Sequence, residues 1–391
     1  MIIDNEPTGI LQSLIRCASV TPDEGGALDY LQSLLEPHGF VCTRLPFSDD
    51  GTPDVDNLFA RLGDGGRHLC FAGHTDVVPP GDEASWTIPP FAGEIVDGVV
   101  YGRGACDMKG SVAAFASAAI DYAASCNGKL PGSISLLITG DEEGPAINGT
   151  VKVLEWLRSN GQVPDHAVVG EPTCPEELGD TIKVGRRGSI HFEVTVTGVQ
   201  GHSAYPQKAD NPIPKLARLI DAVTSVALDD GAENFDPSTL SVSTFDVANP
   251  ANNVIPEKAV ARFNVRYNTV HSPDSLTRWV HAACDKVAQE LGGRFDVQTI
   301  EAADCFYTGP GPLADIVGAA IQAETGLQPE LSTGGGTSDA RFIKDYCPVV
   351  EFGPINQTIH QVDERIGVEE LKGLTRIYRG MLERYFAGTG E

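Results

Sequence analysis

Apolar residues recur along the first and last parts of the chain with two different periods, which predicts alternating strands and helices. Spacings of three and four residues predict helices, and Gly39 is a stop signal after the second of them. Unbroken apolar runs predict strands that are buried on both faces. The predicted helices span 8–17, 27–36, 110–126, 148–159, 312–325 and 367–386, and the predicted strands 57–62, 68–73, 133–139, 166–170 and 346–352. This pattern is typical of an α/β fold with a mixed, largely parallel sheet flanked by helices.

The middle of the chain has a different order of elements. Its predicted strands span 191–198, 239–247, 257–267 and 294–300, and its predicted helices span 211–228 and 273–291. The order β-α-β-β-α-β is that of a ferredoxin-like unit. We therefore expect an inserted domain over 182–301, within a discontinuous catalytic domain formed by 1–181 and 302–391.

Side chains suited to catalysis follow three of the predicted strands directly. His74 follows the strand HLCFAG, Glu142 and Glu143 follow SISLLITG, and Glu171 follows AVVG. Ligands of α/β sheets gather at the carboxyl ends of the strands. We therefore expect these side chains to lie on one rim of the sheet.

Two histidines and three acids form the candidate metal site. They are His74, Asp107, Glu143, Glu171 and His360. Imidazole nitrogen and carboxylate oxygen together suit a pair of divalent ions such as Zn²⁺. Taken singly, Asp107 fits a helix N-cap equally well, and His360 is a weak candidate. As a set, the residues predict a co-catalytic metal site.

Two further acids adjoin these candidate ligands. Glu142 and Glu143 are neighbours and point in different directions, so one can bind metal while the other addresses a water molecule. The spacing allows either assignment, and we expect Glu143 as ligand and Glu142 as base. Asp76 lies two residues after His74 on an extended segment and points the same way. We expect Asp76 to orient the imidazole, because metal-bound histidines usually donate their second N–H to an acceptor.

The chain is strongly acidic, and this bears on its partners. It has 391 residues, of which 28 are Lys or Arg and 54 are Asp or Glu, which gives a net charge of −26. Nucleic acid and anionic membranes are repelled on average, and we expect neither as a partner. An anionic substrate would need local cations. Arg186 and Arg187 in VGRRGS, together with Arg266, suit a carboxylate clamp.

The cysteines and the N-terminus indicate the compartment. The nine cysteines are odd in number and form no CxxC pair, which favours reduced thiols and a cytoplasmic location. We expect Cys106 to be a buried apolar side chain and not a metal ligand. The segment MIIDNEPTGI lacks the pattern of a signal peptide, and no apolar run is long enough to span a membrane.

Several stretches together resemble the dinuclear zinc aminoacylase and peptidase superfamily over essentially the whole chain. GHTDVVPPGD, YGRGACDMKG, DEEGPAINGT and VGEPT mark the superfamily. VGRRGS, GGGTSDARF and GPINQTIH narrow the resemblance to the bacterial succinyl-diaminopimelate desuccinylase family. That resemblance implies hydrolysis of N-succinyl-LL-2,6-diaminopimelate to succinate and LL-2,6-diaminopimelate.

The resemblance also implies a role for each site residue. Asp107 bridges two Zn²⁺ ions, with Co²⁺ as an alternative in the second position, and Glu142 is the general base. His74 and Glu171 complete one ion, Glu143 and His360 complete the other, and the peptide bond after Asp107 is cis. The inserted domain acts as a lid and forms a homodimer, in which His202 reaches the partner's site to stabilise the oxyanion. The small anionic acyl-amino-acid substrate is contacted by Arg186, Arg266, Asn252, Asn253, Thr337 and Asn356.

Two alternatives remain open on the sequence. Another amide hydrolase of the same scaffold, such as an acetylornithine deacetylase or an aminopeptidase, would share the metal residues. A non-catalytic dimer that binds metabolites or metal would keep the fold but lose a ligand or the base, and none is missing here.

Overall fold

A computed structural model describes residues 5–127 and 129–387 of the chain. The strands in this part are β1 Val41–Arg44, β2 Leu58–Leu62, β3 His68–His74, β4 Ile95–Val96, β5 Val99–Tyr101, β6 Ser133–Thr139, β7 His166–Val169, β8 Thr181–Lys183, β9 Gly185–Arg186, β10 Gly188–Thr197, β11 Gly201–His202, β12 Thr239–Asp246, β13 Val254–Ile255, β14 Lys258–Tyr267, β15 Arg294–Ala303, β16 Phe306–Tyr307, β17 Glu330–Ser332, β18 Val349–Glu351 and β19 Arg365–Gly367. The α-helices are α1 Pro7–Arg16, α2 Ala27–Leu35, α3 Lys109–Ser125, α4 Thr150–Ser159, α5 Pro212–Thr224, α6 Pro273–Leu291, α7 Pro312–Thr325, α8 Ala340–Ile343 and α9 Val368–Ala387.

The chain forms two compact units. The first runs to Val184 and resumes over Thr308–Ser332 and from Ser338 onward, and the second comprises Gly185–Tyr307 and Thr333–Thr337. The segment Thr333–Thr337 was expected with the catalytic domain but groups with the second unit. One reason is a hydrogen bond within that unit, in which the Thr333 hydroxyl donates to the Asn234 carbonyl oxygen at 2.6 Å. The expected domain limits of 181/182 and 301/302 otherwise stay predictions.

The first unit is built on an eight-stranded sheet in the order β1-β2-β6-β3-β7-β18-β8-β17. The central strands β6, β3, β7 and β18 run parallel to one another. On one side of them β2 is antiparallel to β6 and β1 to β2, and on the other side β8 is antiparallel to β18. Strands β3 and β6 are buried along their whole length, as their largely apolar sequences predict. Helices α1, α3, α7 and α9 contribute to the hydrophobic core of this unit. The carboxyl ends of these parallel strands therefore lie together at one end of the sheet.

The second unit is a four-stranded antiparallel sheet with two helices. Its order is β12-β14-β10-β15, and the chain order of the elements is β-α-β-β-α-β. Alternate residues of β10, from Ile190 to Val196, are buried. Leu276, Val280 and Val287 of α6 belong to the same core, and their spacing places them on one helix face. The predicted α/β fold with a ferredoxin-like insertion is confirmed.

No helix in the described ranges is both long and apolar enough to cross a membrane.

Candidate metal centre

Parallel strands bring three of the predicted ligands together at the carboxyl ends of the central strands of the large sheet. His74 is the last residue of β3 and is in register with Thr139 at the end of the parallel strand β6. Glu142 and Glu143 follow β6, and Glu171 follows the parallel strand β7. Asp107 precedes α3, and His360 lies in the loop before β19. Strand ends that are far apart in sequence thus supply one cluster.

Two glycines allow the segments that carry these residues to pack closely. Gly73 precedes His74, and a Cβ atom there would lie 2.4 Å from Cε of Met108. Gly170 precedes Glu171, and a Cβ atom there would lie 2.7 Å from the same methyl group. Met108, which is fully buried, follows Asp107 through a cis peptide bond, as expected from the resemblance. The space left by two absent side chains therefore lets the three segments converge.

The buried half of the cluster centres on the His74 imidazole. Its Nε2 atom lies 3.2 Å from Oδ1 of Asp107 and 3.7 Å from Oε1 of Glu171. Oε2 of Glu142 lies 4.0 Å from the same nitrogen. His74, Asp107 and Glu171 each offer a ligand atom within 4.8 Å of the others, which is the arrangement of a metal-binding group.

The other oxygen of Asp107 faces a second group. Nε2 of His360 lies 3.4 Å from Oδ2 of Asp107 and 2.8 Å from Oε1 of Glu143. Asp107 thus takes part in both groups, one oxygen to each, as a bridging carboxylate must. Glu143 pairs with His360, which favours Glu143 as the ligand and Glu142 as the base. A third group of His74, Glu142 and Glu143 also has ligand spacing, so geometry alone allows Glu142 to approach a cation.

Asp76 contacts His74 through its backbone carbonyl oxygen, and its side chain has other partners. Nδ1 of His74 lies 2.8 Å from the backbone carbonyl oxygen of Asp76, and 3.6 Å from its carboxylate. The carboxylate instead accepts backbone N–H groups from Glu142 at 3.3 Å and Glu143 at 3.0 Å. Donation from Nδ1 to the carbonyl would leave Nε2 free for a metal. Asp76 therefore orients His74 through its main chain and the two glutamates through its side chain.

The charges of the cluster fit a pair of divalent cations. Burial raises the pKa of Glu142 and Glu171 well above the usual carboxyl range, and neighbouring carboxylates raise it further. Oε1 of Glu171 is buried and accepts no hydrogen bond from any described residue. Hydrogen bonding to Asp107 and Glu143 raises the pKa of His360 to about 10. Carboxylates so crowded need positive charge, and imidazole with carboxylate is a donor set that Zn²⁺ accepts.

The predicted oxyanion residue lies in the second unit, on a short ribbon. His202 is exposed on β11, which pairs with β13. The backbone N–H of Ser203 donates to the carbonyl oxygen of Asn253 at 2.9 Å, so Asn252 and Asn253 are close to His202 in space. Both asparagines are exposed.

The predicted substrate-binding residues divide between the units. Arg186 is largely buried on β9, and a Cβ atom on Gly335 would lie 2.6 Å from its Nη1. The glycine-rich segment that ends at Thr337 therefore packs against this guanidinium within the second unit. Arg266 lies on β14 of the same unit, and Asn356 lies in the first.

Two buried residues with no assigned role in the sequence interpretation adjoin the cluster. Arg103 and Glu364 form an ion pair at 2.7 Å, with the carboxylate fully buried. Both occur in the stretches YGRGACDMKG and NQTIHQVDE, but nothing in their spacing predicts the pairing. Cys106 is buried and its thiol contacts Glu364 at 3.4 Å. Burial raises the pKa of that thiol well above its usual range, which suits a neutral side chain.

The chain is similar to known proteins over nearly its full length. Residues 70–384 match the family model described as peptidase family M20/M25/M40. A succinyl-diaminopimelate desuccinylase of Rhodospirillum centenum is 56% identical over 383 residues, which cover 98% of each chain. The enzyme of the same name from Rhodopseudomonas palustris strain TIE-1 is 54% identical over 97% of this chain and 98% of the relative.

Solved structures share the fold at low sequence identity. The M20 metallo-carboxypeptidase Sso-CP2 of Sulfolobus solfataricus has a TM-score of 0.78 at 18% identity, covering 98% of this chain and 99% of its own. Bacillus subtilis YxeP, described as a dinuclear metal-binding M20 peptidase, has a TM-score of 0.72 at 16% identity and 96% coverage of both. The chain belongs to peptidase family M20/M25/M40, whose members include metal-binding hydrolases, and within it to the succinyl-diaminopimelate desuccinylase family.

Proposed function

We propose that the protein hydrolyses the succinyl amide of N-succinyl-LL-2,6-diaminopimelate to succinate and LL-2,6-diaminopimelate, a precursor of lysine and the cell wall. The observation that carries the chemistry is the position of Asp107, whose two oxygens face separate groups of ligand-type residues, with Glu142 alongside. The chain's 56% identity to a succinyl-diaminopimelate desuccinylase supports this choice of substrate.

The residues that would hold the metal follow from the two groups. His74, Asp107 and Glu171 would hold one Zn²⁺, and Asp107, Glu143 and His360 the other, with Co²⁺ as an alternative in the second position. Bound there, the ions would polarise the amide carbonyl and lower the pKa of the attacking water.

Proton transfer falls to Glu142. Its carboxylate takes a proton from the water as the new C–O bond forms, and returns it to the amine nitrogen as the C–N bond breaks. The Asp76 carboxylate holds the backbone N–H groups of Glu142 and Glu143, so the base and the ligand keep their relative positions. Amide and water together give a carboxylate and a protonated amine, so atoms and charge balance.

Substrate recognition is assigned to cationic and polar side chains. The substrate carries three carboxylates and one ammonium group, and its net charge is therefore negative. We assign Arg186 and Arg266 to its carboxylates, since guanidinium groups bind carboxylates with two parallel hydrogen bonds, and Asn252, Asn253, Thr337 and Asn356 to further polar contacts. We further propose that His202 stabilises the oxyanion in the partner's site of a homodimer, and that the enzyme works in the cytoplasm.

The proposed substrate is tested by comparing the steady-state hydrolysis of two amides by the zinc-loaded enzyme. N-succinyl-LL-2,6-diaminopimelate should be cleaved with a higher kcat/KM than N-acetylornithine, which has one carboxylate and lacks both the succinyl and the distal carboxylate. Replacing Arg186 with Ala should reduce the difference in kcat/KM between the two substrates. A faster acetyl substrate would instead favour a deacetylase of the same scaffold.

A further inference from the structure

A buried ion pair lies behind the proposed metal ligands and contacts the main chain of three segments that carry them. Arg103 is 2% exposed and Glu364 is fully buried, and Nη1 of the arginine lies 2.7 Å from Oε2 of the glutamate. Neither side chain belongs to a group with metal-ligand spacing within the described residues. Their partners, apart from each other, are mainly backbone atoms.

The glutamate contacts the segment of Asp107. Its Oε1 atom accepts the backbone N–H groups of Cys106 and Asp107, each at 3.1 Å. Oε1 thus fixes the peptide groups on either side of the Cys106 α-carbon, just before the carboxylate that faces both ligand groups. Burial and Asp107 raise the pKa of Glu364, and hydrogen bonding to Arg103 opposes that rise.

The arginine contacts the two histidine segments. Nη2 donates to the carbonyl oxygens of His360 at 3.3 Å and Pro79 at 3.4 Å, and Nη1 donates to that of Gln361 at 3.2 Å. Pro79 lies five residues after His74. Only a planar fork with several N–H groups can serve three carbonyl oxygens and a carboxylate together.

A tryptophan packs over the guanidinium. The Trp86 ring centroid lies 5.2 Å from Cζ of Arg103, and the indole N–H donates to the carbonyl oxygen of Pro80 at 3.0 Å. Trp86 is itself buried. The indole therefore secures the same turn after His74 that Arg103 contacts.

We propose that Arg103 and Glu364 are positioning residues that hold the segments of His74, Asp107 and His360 at the separation needed to bind two metal ions. The inference rests on the proposed function for the identity of the ligands. The pair acts on the geometry of the main chain, and neither residue is a ligand or touches the reacting atoms.

The consequence is a loss of metal affinity in variants that remain folded. In Arg103→Lys the positive charge beside Glu364 remains, but one ammonium replaces the fork and cannot reach all three carbonyl oxygens. In Glu364→Gln one oxygen can still accept the two N–H groups, while an amide NH₂ then faces Arg103. Loss of residues that orient metal ligands typically weakens metal binding about 10- to 100-fold. The ion assigned to Glu143 and His360 should weaken most, because Arg103 contacts His360 directly.

The experiment is a competition titration of metal-stripped protein with Zn²⁺ against a chromophoric chelator, with thermal unfolding recorded on the same samples. Glu324→Gln is the control, because it removes an ion pair with Arg376 on the surface of the same unit. We expect wild type and the control to bind two ions alike, and folded Arg103→Lys and Glu364→Gln to bind at least one ion about 10- to 100-fold more weakly.

Two results would overturn the proposal. Zinc affinity unchanged within about threefold in folded Arg103→Lys would show that the pair serves stability alone, even if its Tm falls. If Glu364→Gln does not fold, Arg103→Lys decides the outcome by itself. A wild-type protein that takes up no zinc would contradict the proposed metal centre, and the inference with it, so the two failures are distinguishable.

Discussion

The Nε2 atom of His360 lies 2.8 Å from Oε1 of Glu143, although the two residues are 217 positions apart. His360 has a φ of 59°, a left-handed conformation that is uncommon for any residue other than glycine. Such conformations persist mainly where the surroundings enforce them, and they are frequent at functional sites. The backbone at His360 is therefore held in an unfavourable region while its imidazole faces Glu143 and Asp107.

Replacing His360 with Ala should reduce the zinc content from two ions per chain to one. The remaining ion would be held by His74, Asp107 and Glu171, a group of ligand atoms that does not include His360. Metal analysis after gel filtration measures the change. His281→Ala, an exposed histidine of α6, is the matched control. Retention of two ions by His360→Ala would contradict its assignment as a ligand.

Replacing Gly73 with Ala should destabilise the protein by about 1–3 kcal/mol, because the new methyl group overpacks the contact with Met108. Denaturant unfolding measures this loss. In a double-mutant cycle, Gly73→Ala should cost less stability in a Met108→Ala background than in wild type, since the atom nearest to the new Cβ is then absent. Gly65→Ala has open space around it and should change stability little. Equal effects of the two glycine substitutions would contradict the packing argument.

The stability of the protein should fall as the pH is lowered from about 6.5 to about 4, in part through His68. Burial and the positive charge of Arg61 lower the pKa of His68 to about 4, and its Nε2 lies 2.7 Å from the Ser135 hydroxyl. Because the folded pKa lies below the unfolded value of about 6.5, the unfolded state binds more protons in this interval.

At roughly 1.4 kcal/mol per pKa unit, the loss of stability through His68 is at most about 3.5 kcal/mol and is complete below about pH 4. Urea unfolding at several pH values measures it. His68→Gln should flatten the fall between pH 6.5 and 4, whereas His281→Gln should leave it unchanged. The same slope in all three proteins would show that His68 does not carry the effect.

Mixing two inactive variants should restore activity if His202 acts in the partner's site. His202→Ala and Glu142→Ala homodimers would be combined under conditions that allow subunit exchange. In each heterodimer, one of the two sites would then contain both His202 and Glu142, and the other would contain neither. Random exchange of equal amounts places half of the chains in such heterodimers, so recovery approaches a quarter of wild-type activity. No recovery after exchange has been verified by mass spectrometry would place His202 in its own subunit's site or outside catalysis.

Much of the fold follows from local patterns, and the exceptions have physical causes. The apolar run before His74 predicts a strand over 68–73, and the structure has His68–His74. Short strands such as Gly201–His202 and Val254–Ile255 carry no periodic signal, because two residues are too few to show one. Their pairing depends on contacts between distant parts of the chain.

The candidate site was predictable where each residue follows a strand, and less so where it depends on a loop. Parallel strands place His74, Glu143 and Glu171 together by topology, which a sequence pattern can indicate. The pairing of Arg103 with Glu364 spans 261 positions and has no periodic or spacing signal. Asp76 shows the same limit, because i and i+2 spacing indicates a shared direction but cannot tell a carbonyl contact from a carboxylate contact.

Metal-dependent hydrolysis with Glu142 as the base is tested most directly by the release of succinate from N-succinyl-LL-2,6-diaminopimelate by wild type and Glu142→Ala, with zinc content measured on both. We expect two zinc ions per chain in each protein. Turnover should fall about 10²- to 10⁴-fold in the variant, which is the contribution of a positioned general base. Wild-type turnover by zinc-loaded Glu142→Ala would contradict the role of Glu142 as the base. No succinate release by zinc-loaded wild type would contradict the proposed reaction.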